Sequence, residues 1–224
     1  MGEMVSFASN GGTAEGYLAS PAGTERVPGV IVIQEWWGLN DNIKDIAERF
    51  AREGYLALAP DLYHGKVVGE PDEAGKLMMS MKMDQAAKDM AGAYDYLKSH
   101  QRCTGKIGSV GFCMGGGLSL YIATLRPIDA CVVYYGVLPG VQPDLSNVKG
   151  AVLGHYADHD AFASPEKARE LEQQLKDLGK DVEFHIYPNT QHGFFNDTRP
   201  EQYAPEASKQ TWERTLAFYA KHLR

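Results

Sequence analysis

A cysteine flanked by glycines is the residue whose surroundings most favour chemistry in this sequence. Gly111-Phe112-Cys113-Met114-Gly115 fits the nucleophile-elbow pattern G-x-S-x-G, with cysteine in place of serine. The turn is so sharp that a Cβ two positions before or after the nucleophile would collide with the neighbouring strand or helix. By composition alone, G-x-C-x-G would occur only ~0.03 times in this chain. We therefore expect Cys113 to be a nucleophile; the alternative is a buried structural thiol beside a tight turn.

A nucleophilic cysteine needs a base, and the base needs a group that orients it. An elbow of this kind places the acid and then the histidine in loops after later strands. His192 is the histidine that follows the last β-type run and precedes the last helical pattern, so it is the predicted base. For the acid, Asp158 and Asp160 compete within one loop. Asp160 is nearer the start of the next helix and is preferred, whereas Asp158 is expected to cap the turn or face solvent.

The loop Gln34-Glu35-Trp36-Trp37-Gly38-Leu39 follows an earlier apolar run. It occupies the place that supplies one oxyanion-hole N–H, so this donor is assigned to the Trp36 backbone. The second donor is assigned to the backbone of Met114, which follows the nucleophile. Glu35 is expected to lie close to Cys113, the alternative being a surface or capping carboxylate.

His155, Asp158, His159 and Asp160 together offer the residue types of a metal site. A four-residue spacing places two histidines on one face only in a helix, and this stretch has the pattern of a strand and a loop. No metal ion and no organic cofactor is therefore expected.

These residues must be positioned by elements that alternate along the chain. Apolar β-type runs cover residues 30–33, 55–59, 107–112, 131–135, 151–156 and 182–187, and helical stripes cover 43–51, 87–97, 118–125, 168–178 and 212–223. The alternation predicts an α/β fold with a mostly parallel, doubly wound sheet and helices on both faces. Asn10-Gly11-Gly12, between two short β runs, predicts an N-terminal antiparallel hairpin. We expect a single domain over residues 1–224, with ligands bound at the carboxyl ends of the strands.

The segment at residues 63–83 has a different composition. Its four methionines, Met78, Met79, Met81 and Met83, are expected either to line an adaptable apolar pocket or to pack a helix against the sheet. Packing is the expected role of at least two of them. Residues 63–75, which include two glycines, are expected to form a mobile rim.

Charge and cysteine content restrict the partners. The 224 residues carry 29 acidic and 22 basic side chains, a net charge of -7, which argues against nucleic acid or an anionic membrane as the main partner. No apolar run approaches the ~20 residues of a membrane span, and the first residues do not resemble a signal peptide. The three cysteines are too widely spaced for a disulfide framework, so Cys103 and Cys131 are expected to be structural. These features predict a reduced cytoplasmic protein. Its partner is expected to be a small-molecule substrate, and the chain is expected to be a monomer.

In its motifs the sequence resembles the dienelactone hydrolase family of the α/β-hydrolase fold over nearly its whole length. The motifs are Gln34-Glu35-x-x-Gly38, Pro60-Asp61-Leu62-Tyr63, Gly111-Phe112-Cys113-Met114-Gly115-Gly116, Tyr134-Tyr135-Gly136, the Asp160 loop and His192-Gly193-Phe194. The resemblance implies that Cys113 is the nucleophile, His192 the general base and Asp160 its orienting acid. It also implies a role for Glu35, because in the family this carboxylate interacts with the cysteine and helps convert it to thiolate when substrate binds.

The sequence departs from the family where the substrate carboxylate is held. Dienelactone hydrolases use two arginines for this purpose, one before the mid-chain helix and one just after the catalytic histidine. Residues 70–83 contain Lys76 and Lys82 but no arginine, and the residue four past His192 is Asn196, although Arg199 is nearby. The resemblance thus implies an ester or lactone hydrolase with an acyl-cysteine intermediate, acting on a substrate less anionic than dienelactone. A thioesterase or general carboxylesterase with the same triad, and a non-catalytic binding protein, are the alternatives.

Overall fold

Strands and helices alternate along the chain in a computed structural model that describes residues 2–138 and 140–224. The elements are β1 (Glu3–Ser9), β2 (Gly12–Ala19), β3 (Val27–Ile33), α1 (Asp41–Arg52), β4 (Leu56–Pro60), α2 (Pro71–Ser80), α3 (Met83–Ser99), β5 (Cys103–Phe112), α4 (Met114–Leu125), β6 (Ala130–Tyr134), β7 (Ala151–His159), α5 (Pro165–Asp177), β8 (Val182–Gln191) and α6 (Pro205–Leu223). This order confirms the predicted α/β class. The chain forms two compact units, residues 1–109 and 110–224, and the expected single domain stays a prediction.

The first unit begins with the predicted hairpin. β1 and β2 pair antiparallel, from Glu3 opposite Leu18 to Ser9 opposite Gly12. The two residues of the turn, Asn10 and Gly11, have φ values of 34° and 89°, and this left-handed backbone matches the twist of the strands it connects. β2 then pairs antiparallel with β4, and β4 pairs parallel with β3.

The position of helix α1 is set by its N-cap and by its buried apolar stripe. The side chain of Asn40 accepts a hydrogen bond from the Ile43 N–H at 3.2 Å, so Asn40 rather than Asp41 is the N-cap. Its buried stripe includes Ile46 and Phe50 at helical spacing, as predicted. The helix ends after Arg52.

Helix α2 lies in the methionine-rich segment. Pro71 stands in its first turn, where the missing N–H and the fixed φ of proline are favourable. Ala74 is its one buried residue, and Met79 is 86% exposed. Met79 therefore takes neither of the two roles expected for these methionines.

The second unit contains β6, β7 and β8, which are parallel neighbours in that order. The register places Tyr134 of β6 beside His155 of β7, and His155 beside His185 of β8. β7 and β8 both extend beyond their apolar runs, to His159 and Gln191, with an irregularity between residues 157 and 159. The consequence is that the two loops that were expected to carry the acid and the base begin three to four residues later than predicted.

Within the described residues, no helix combines the length and apolar character that a membrane crossing requires.

Candidate active site

Cys113 stands alone between β5 and α4 in a conformation that is unusual for a residue with a side chain. Its φ is 54° and its ψ is −120°, a sparsely populated region that costs about 1–3 kcal/mol and persists only where the surroundings enforce it. Four backbone hydrogen bonds do so here. The Cys113 N–H donates to the Tyr134 carbonyl at 3.1 Å, and the Cys113 carbonyl accepts from Gly116 at 2.9 Å, Gly117 at 3.3 Å and Val137 at 3.1 Å.

Glycine is required on both sides of this turn for the steric reason that the sequence suggested. A Cβ on Gly111 would lie 1.9 Å from the carbonyl oxygen of Gly115, and a Cβ on Gly116 would lie 2.6 Å from that of Tyr134. Both distances are well below van der Waals contact. The first turn of α4 can therefore approach β5 and β6 closely enough to fix the direction of the Cys113 side chain.

The Cys113 thiol is at the N-terminus of α4, and the residue is 9% exposed. The partial positive charge of a helix N-terminus stabilises a thiolate. Met114, the first residue of α4, is buried directly beside it. The remaining cysteines, Cys103 and Cys131, are buried and not disulfide-bonded, and both lie within strands.

His192 immediately follows the last residue of β8. Its Nδ1 lies 2.7 Å from Asp160 Oδ2, and Cys113 is the second side chain that interacts with the imidazole and raises its pKa. Two aromatic rings flank the imidazole, with centroid distances of 5.1 Å to Tyr135 and 5.3 Å to Phe162. Cys113, His192 and Asp160 are thus brought together in one site.

Asp160 is held by three hydrogen bonds while its side chain is completely buried. Oδ2 accepts from His192, and Oδ1 accepts from the backbone N–H groups of Phe162 at 2.8 Å and Ala163 at 2.9 Å. Burial alone would raise the pKa of this carboxyl, but the contacts with His192 and the two N–H groups lower it below its ordinary value. Asp160 is therefore ionised, and His192 donates to it through Nδ1–H.

The electrostatics of His192 follow from its two partners. Burial on its own lowers the pKa of the imidazole, but the interactions with Asp160 and Cys113 outweigh burial and raise the pKa to about 10. A protonated imidazole held by the Asp160 carboxylate is the form that this favours. Such an imidazolium can donate a proton to a leaving group.

Asp158 has different partners from its competitor. Its two oxygens accept hydrogen bonds from the backbone N–H groups of Asn189 at 2.9 Å and Thr190 at 3.0 Å. Asn189 has a φ of 56°, so this clamp also holds the end of β8 in a left-handed conformation. Asp158 lies in β7 and joins it to β8, in place of the turn-capping or solvent-facing role expected from the sequence.

Three of the four residues that were considered as metal ligands form hydrogen bonds within the protein. His155 is hydrogen-bonded to Tyr187 and Thr215, Asp158 to the backbone of β8, and Asp160 to His192. Throughout residues 2–138 and 140–224, no three His, Cys, Asp or Glu side chains are grouped so that they could hold a metal ion.

Glu35 and Trp36 belong to the first unit. Both are in the turn that follows β3, which the Gly38 N–H closes by donating to the Glu35 carbonyl at 3.3 Å. Glu35 is 5% exposed, so it is not the surface carboxylate that was the alternative. Trp36 contacts Trp37 edge-on at a centroid distance of 5.0 Å. Their predicted actions on Cys113 and on the oxyanion stay predictions.

Two residues beside His192 were not singled out individually from the sequence. Tyr135 has a φ of 37° and donates its N–H to the His155 carbonyl at 2.7 Å. Phe162 presents an exposed ring to His192 while its N–H supports Asp160. Neither residue could have been predicted from the sequence. No local sequence pattern indicates that a tyrosine has a left-handed backbone, and an exposed phenylalanine in a loop does not contribute to a hydrophobic period.

Asn196 has a structural role in the turn after His192. It is 3% exposed, and its Oδ1 accepts from both the N–H of Thr198 at 3.0 Å and its hydroxyl at 2.7 Å. Asn196 is therefore buried within the turn and carries no positive charge. It is thus a poor replacement for an arginine that binds a carboxylate.

Comparisons with known proteins identify the family to which the chain belongs. The model of the dienelactone hydrolase family matches residues 14–223. "Protein usf" of Aquifex pyrophilus is 39% identical over 232 residues, and "Putative carboxymethylenebutenolidase" of Aquifex aeolicus is 33% identical over 233, each alignment covering 100% of both chains. The solved structure of "Putative Dienelactone Hydrolase" from Klebsiella pneumoniae has a TM-score of 0.89 at 28% identity and covers 99% of both chains. The chain belongs to the dienelactone hydrolase family and is a hydrolase of carboxylic esters or lactones.

Proposed function

We propose that the chain hydrolyses its ester or lactone through a covalent intermediate on Cys113. The observation that carries the proposal is the series Asp160–His192–Cys113, which begins at a buried carboxylate and ends at a strained cysteine on a helix N-terminus. This is the arrangement that a cysteine nucleophile requires: a base within hydrogen-bond reach, and a third group that orients the base.

In the first step, the Cys113 thiolate attacks the carbonyl carbon of the substrate. A C–S bond forms, and the carbonyl π electrons move to oxygen, where the backbone N–H groups of Met114 and Trp36 are the proposed donors. Collapse of this tetrahedral species breaks the C–O bond. The departing alkoxide takes the proton from His192 Nε2, which leaves a neutral imidazole and a thioester on Cys113.

In the second step, neutral His192 accepts a proton from water as the water attacks the thioester. The C–S bond breaks and the thiolate is restored beside a protonated imidazole. Asp160 keeps the proton of His192 on Nδ1 throughout, so that Nε2 is available for both transfers. With a lactone the alkoxide remains attached to the acyl group, and the product is a hydroxy acid.

Glu35 is proposed to assist formation of the thiolate when substrate binds, as the family resemblance implies. Its burial supports a role other than solvation. Glu35→Gln removes the charge while keeping the shape. The expected result is slower acylation, measured by the pre-steady-state burst, with the rate of thioester hydrolysis unchanged.

The substrate is proposed to carry less negative charge than dienelactone. Asn196 is committed to Thr198, and residues 70–83 hold no arginine. A neutral lactone should therefore be hydrolysed with a higher kcat/KM than a lactone of similar size that bears a carboxylate.

The test compares Cys113→Ala with the matched variant Cys131→Ala, in which a different buried thiol is removed. We expect activated esters and small neutral lactones to be hydrolysed by the native protein and by Cys131→Ala, and not by Cys113→Ala. Rapid acid quenching followed by mass spectrometry should locate the acyl group on Cys113. Full activity in Cys113→Ala would overturn the mechanism, and rapid turnover of acyl thioesters alone would identify a thioesterase instead.

A further inference from the structure

A buried chain of hydrogen bonds connects α6 to the strands that carry the active-site loops. Arg214 Nη1 lies 2.8 Å from Tyr187 OH, and that hydroxyl lies 2.9 Å from His155 Nδ1. On the other side of the ring, His155 Nε2 lies 3.1 Å from Thr215 Oγ1, which lies 2.9 Å from Tyr134 OH. His155 is 0% exposed and stands at the centre of the series.

One set of bond directions lets every hydroxyl and ring nitrogen of the series both find a partner and avoid facing a second donor. A guanidinium can only donate, so Arg214 donates to the Tyr187 oxygen and leaves the single O–H of Tyr187 for His155 Nδ1. Since Nδ1 accepts, the ring proton is on Nε2 and is donated to Thr215. The Thr215 hydroxyl in turn donates to Tyr134. The series therefore assigns the neutral Nε2–H tautomer to His155.

The charged form of His155 is disfavoured by all of its surroundings. Burial, the His185 ring and Arg214 each lower the pKa of His155, which is well below its ordinary value. The His185 ring stacks on that of His155 at 6.2 Å, and His185 is itself paired with Glu183 at 2.8 Å. A proton on Nδ1 would also face the Tyr187 hydroxyl as a second donor beside Arg214.

The far end of the series reaches both active-site loops. The Tyr134 carbonyl accepts the N–H of Cys113, and the Tyr134 hydroxyl is hydrogen-bonded to Thr211 as well as Thr215. Thr211 Oγ1 donates to the Ser208 carbonyl at 2.8 Å. The single proton of Ser208 Oγ is shared between the Phe194 carbonyl at 2.9 Å and the Ala204 carbonyl at 2.8 Å. Phe194 is two residues past the base in the sequence.

We infer that His155 is a positioning residue, whose neutral imidazole joins Tyr187 to Thr215 and thereby fixes the backbone that carries Cys113 and His192. The inference rests on the proposed roles of Cys113 and His192. It assigns to His155 no contact with the substrate. Its effect is on how closely the imidazole and the thiol are held together.

The test removes one hydroxyl on each side of the ring and leaves His155 in place. Tyr187→Phe deletes the donor to Nδ1, and Thr215→Val deletes the acceptor of Nε2–H at nearly constant volume. Two matched controls are available. Thr215→Ser retains the hydroxyl, and Tyr156→Phe removes a buried tyrosine hydroxyl that has no hydrogen-bond partner among the described residues.

Two measurements are made on each variant, the kinetics of ester hydrolysis and the pH dependence of Cys113 alkylation by iodoacetamide, with the modified residue identified by peptide mapping. We expect Tyr187→Phe and Thr215→Val to lower kcat about ten-fold with little change in KM, because the reacting groups are misplaced rather than the substrate. Both should also shift the alkylation profile to higher pH. Thr215→Ser and Tyr156→Phe should resemble the native protein in both measurements.

The inference is overturned if Tyr187→Phe and Thr215→Val lower the melting temperature but keep the native kcat and the native alkylation profile. The hydrogen bonds around His155 would then contribute to stability alone. The same holds if Tyr156→Phe changes kcat as much as Tyr187→Phe. Should one variant not fold, the other decides by the same criteria. Alkylation needs no turnover, so a native protein that hydrolyses no ester refutes the proposed function while the profiles still decide the inference.

Discussion

Asp160→Asn is the substitution that most directly separates the two aspartates of the β7 region. The amide keeps one carbonyl oxygen, which can still accept from Phe162 and Ala163 as Oδ1 does now. The other position becomes an NH₂ group that faces the Nδ1–H of His192. Two donors cannot hydrogen-bond to each other, so the imidazole must adopt its other tautomer, with its proton on Nε2 toward Cys113. In that tautomer Nε2 cannot accept a proton from Cys113.

The expected size of the effect can be worked from the contacts of His192. Asp160 is one of the two groups that raise the pKa of His192 to about 10, and its hydrogen bond to Nδ1 is 2.7 Å long. A hydrogen bond to a charged group is worth about 1.5–3 kcal/mol, and losing this amount in the transition state predicts a roughly 10- to 150-fold lower rate. The wrong tautomer increases the expected loss of kcat to about 10³–10⁴-fold.

The assay is steady-state hydrolysis of an activated ester near neutral pH, with Asp158→Asn as the matched control. Asp158→Asn weakens one of two hydrogen bonds to the end of β8 and should cost about 1–3 kcal/mol in the free energy of unfolding. Its kcat should fall less than ten-fold, because His192 keeps its partner. The reasoning is refuted if Asp158→Asn loses as much activity as Asp160→Asn, or if Asp160→Asn stays within ten-fold of the native kcat.

Two further predictions concern stability. Gly116→Ala places a Cβ 2.6 Å from the Tyr134 carbonyl oxygen and 2.8 Å from the Gly136 Cα. Urea denaturation should therefore show a loss of at least about 3 kcal/mol in the free energy of unfolding. The control Gly75→Ala places its Cβ in open space in α2, and its free energy of unfolding should rise by a few tenths to about 1 kcal/mol. Because the pKa of His192 is higher in the folded state, its contribution to stability is complete below pH 6.5 and is lost as the pH rises through about 10. The melting temperature should therefore decline between about pH 6.5 and 10, and an equally steep decline in His192→Gln would contradict this assignment.

The order of elements and the sharp turn at Cys113 could be predicted because each depends on a local physical constraint. The glycines around Cys113 are dictated by collisions between nearby backbone atoms, and a collision of this kind is visible in a five-residue pattern. His192 could be placed because it follows the last apolar run before a helical stripe. The preference for Asp160 over Asp158 rested on position alone, and the hydrogen bond to His192 now supplies a physical reason.

The ends of β7 and β8 could not be predicted, because their last residues pair through polar contacts without an apolar period. The side chain of Asp158 accepts hydrogen bonds from the backbone of Asn189 and Thr190. Such polar contacts do not produce a hydropathy pattern in the sequence. The His155 series was equally invisible. Its members Tyr187 and Thr215 are 32 and 60 residues away, and only the folded register brings them to one imidazole.

The residue at position 162 combines two functions that are chemically independent. Its backbone N–H supports the carboxylate of Asp160, while its side chain is 65% exposed and borders His192. Any amino acid except proline can supply the N–H, so the ring can be exchanged without dismantling the support for the base. Substitutions at position 162 can therefore change the polarity and shape beside the imidazole with little effect on the contact between Asp160 and His192.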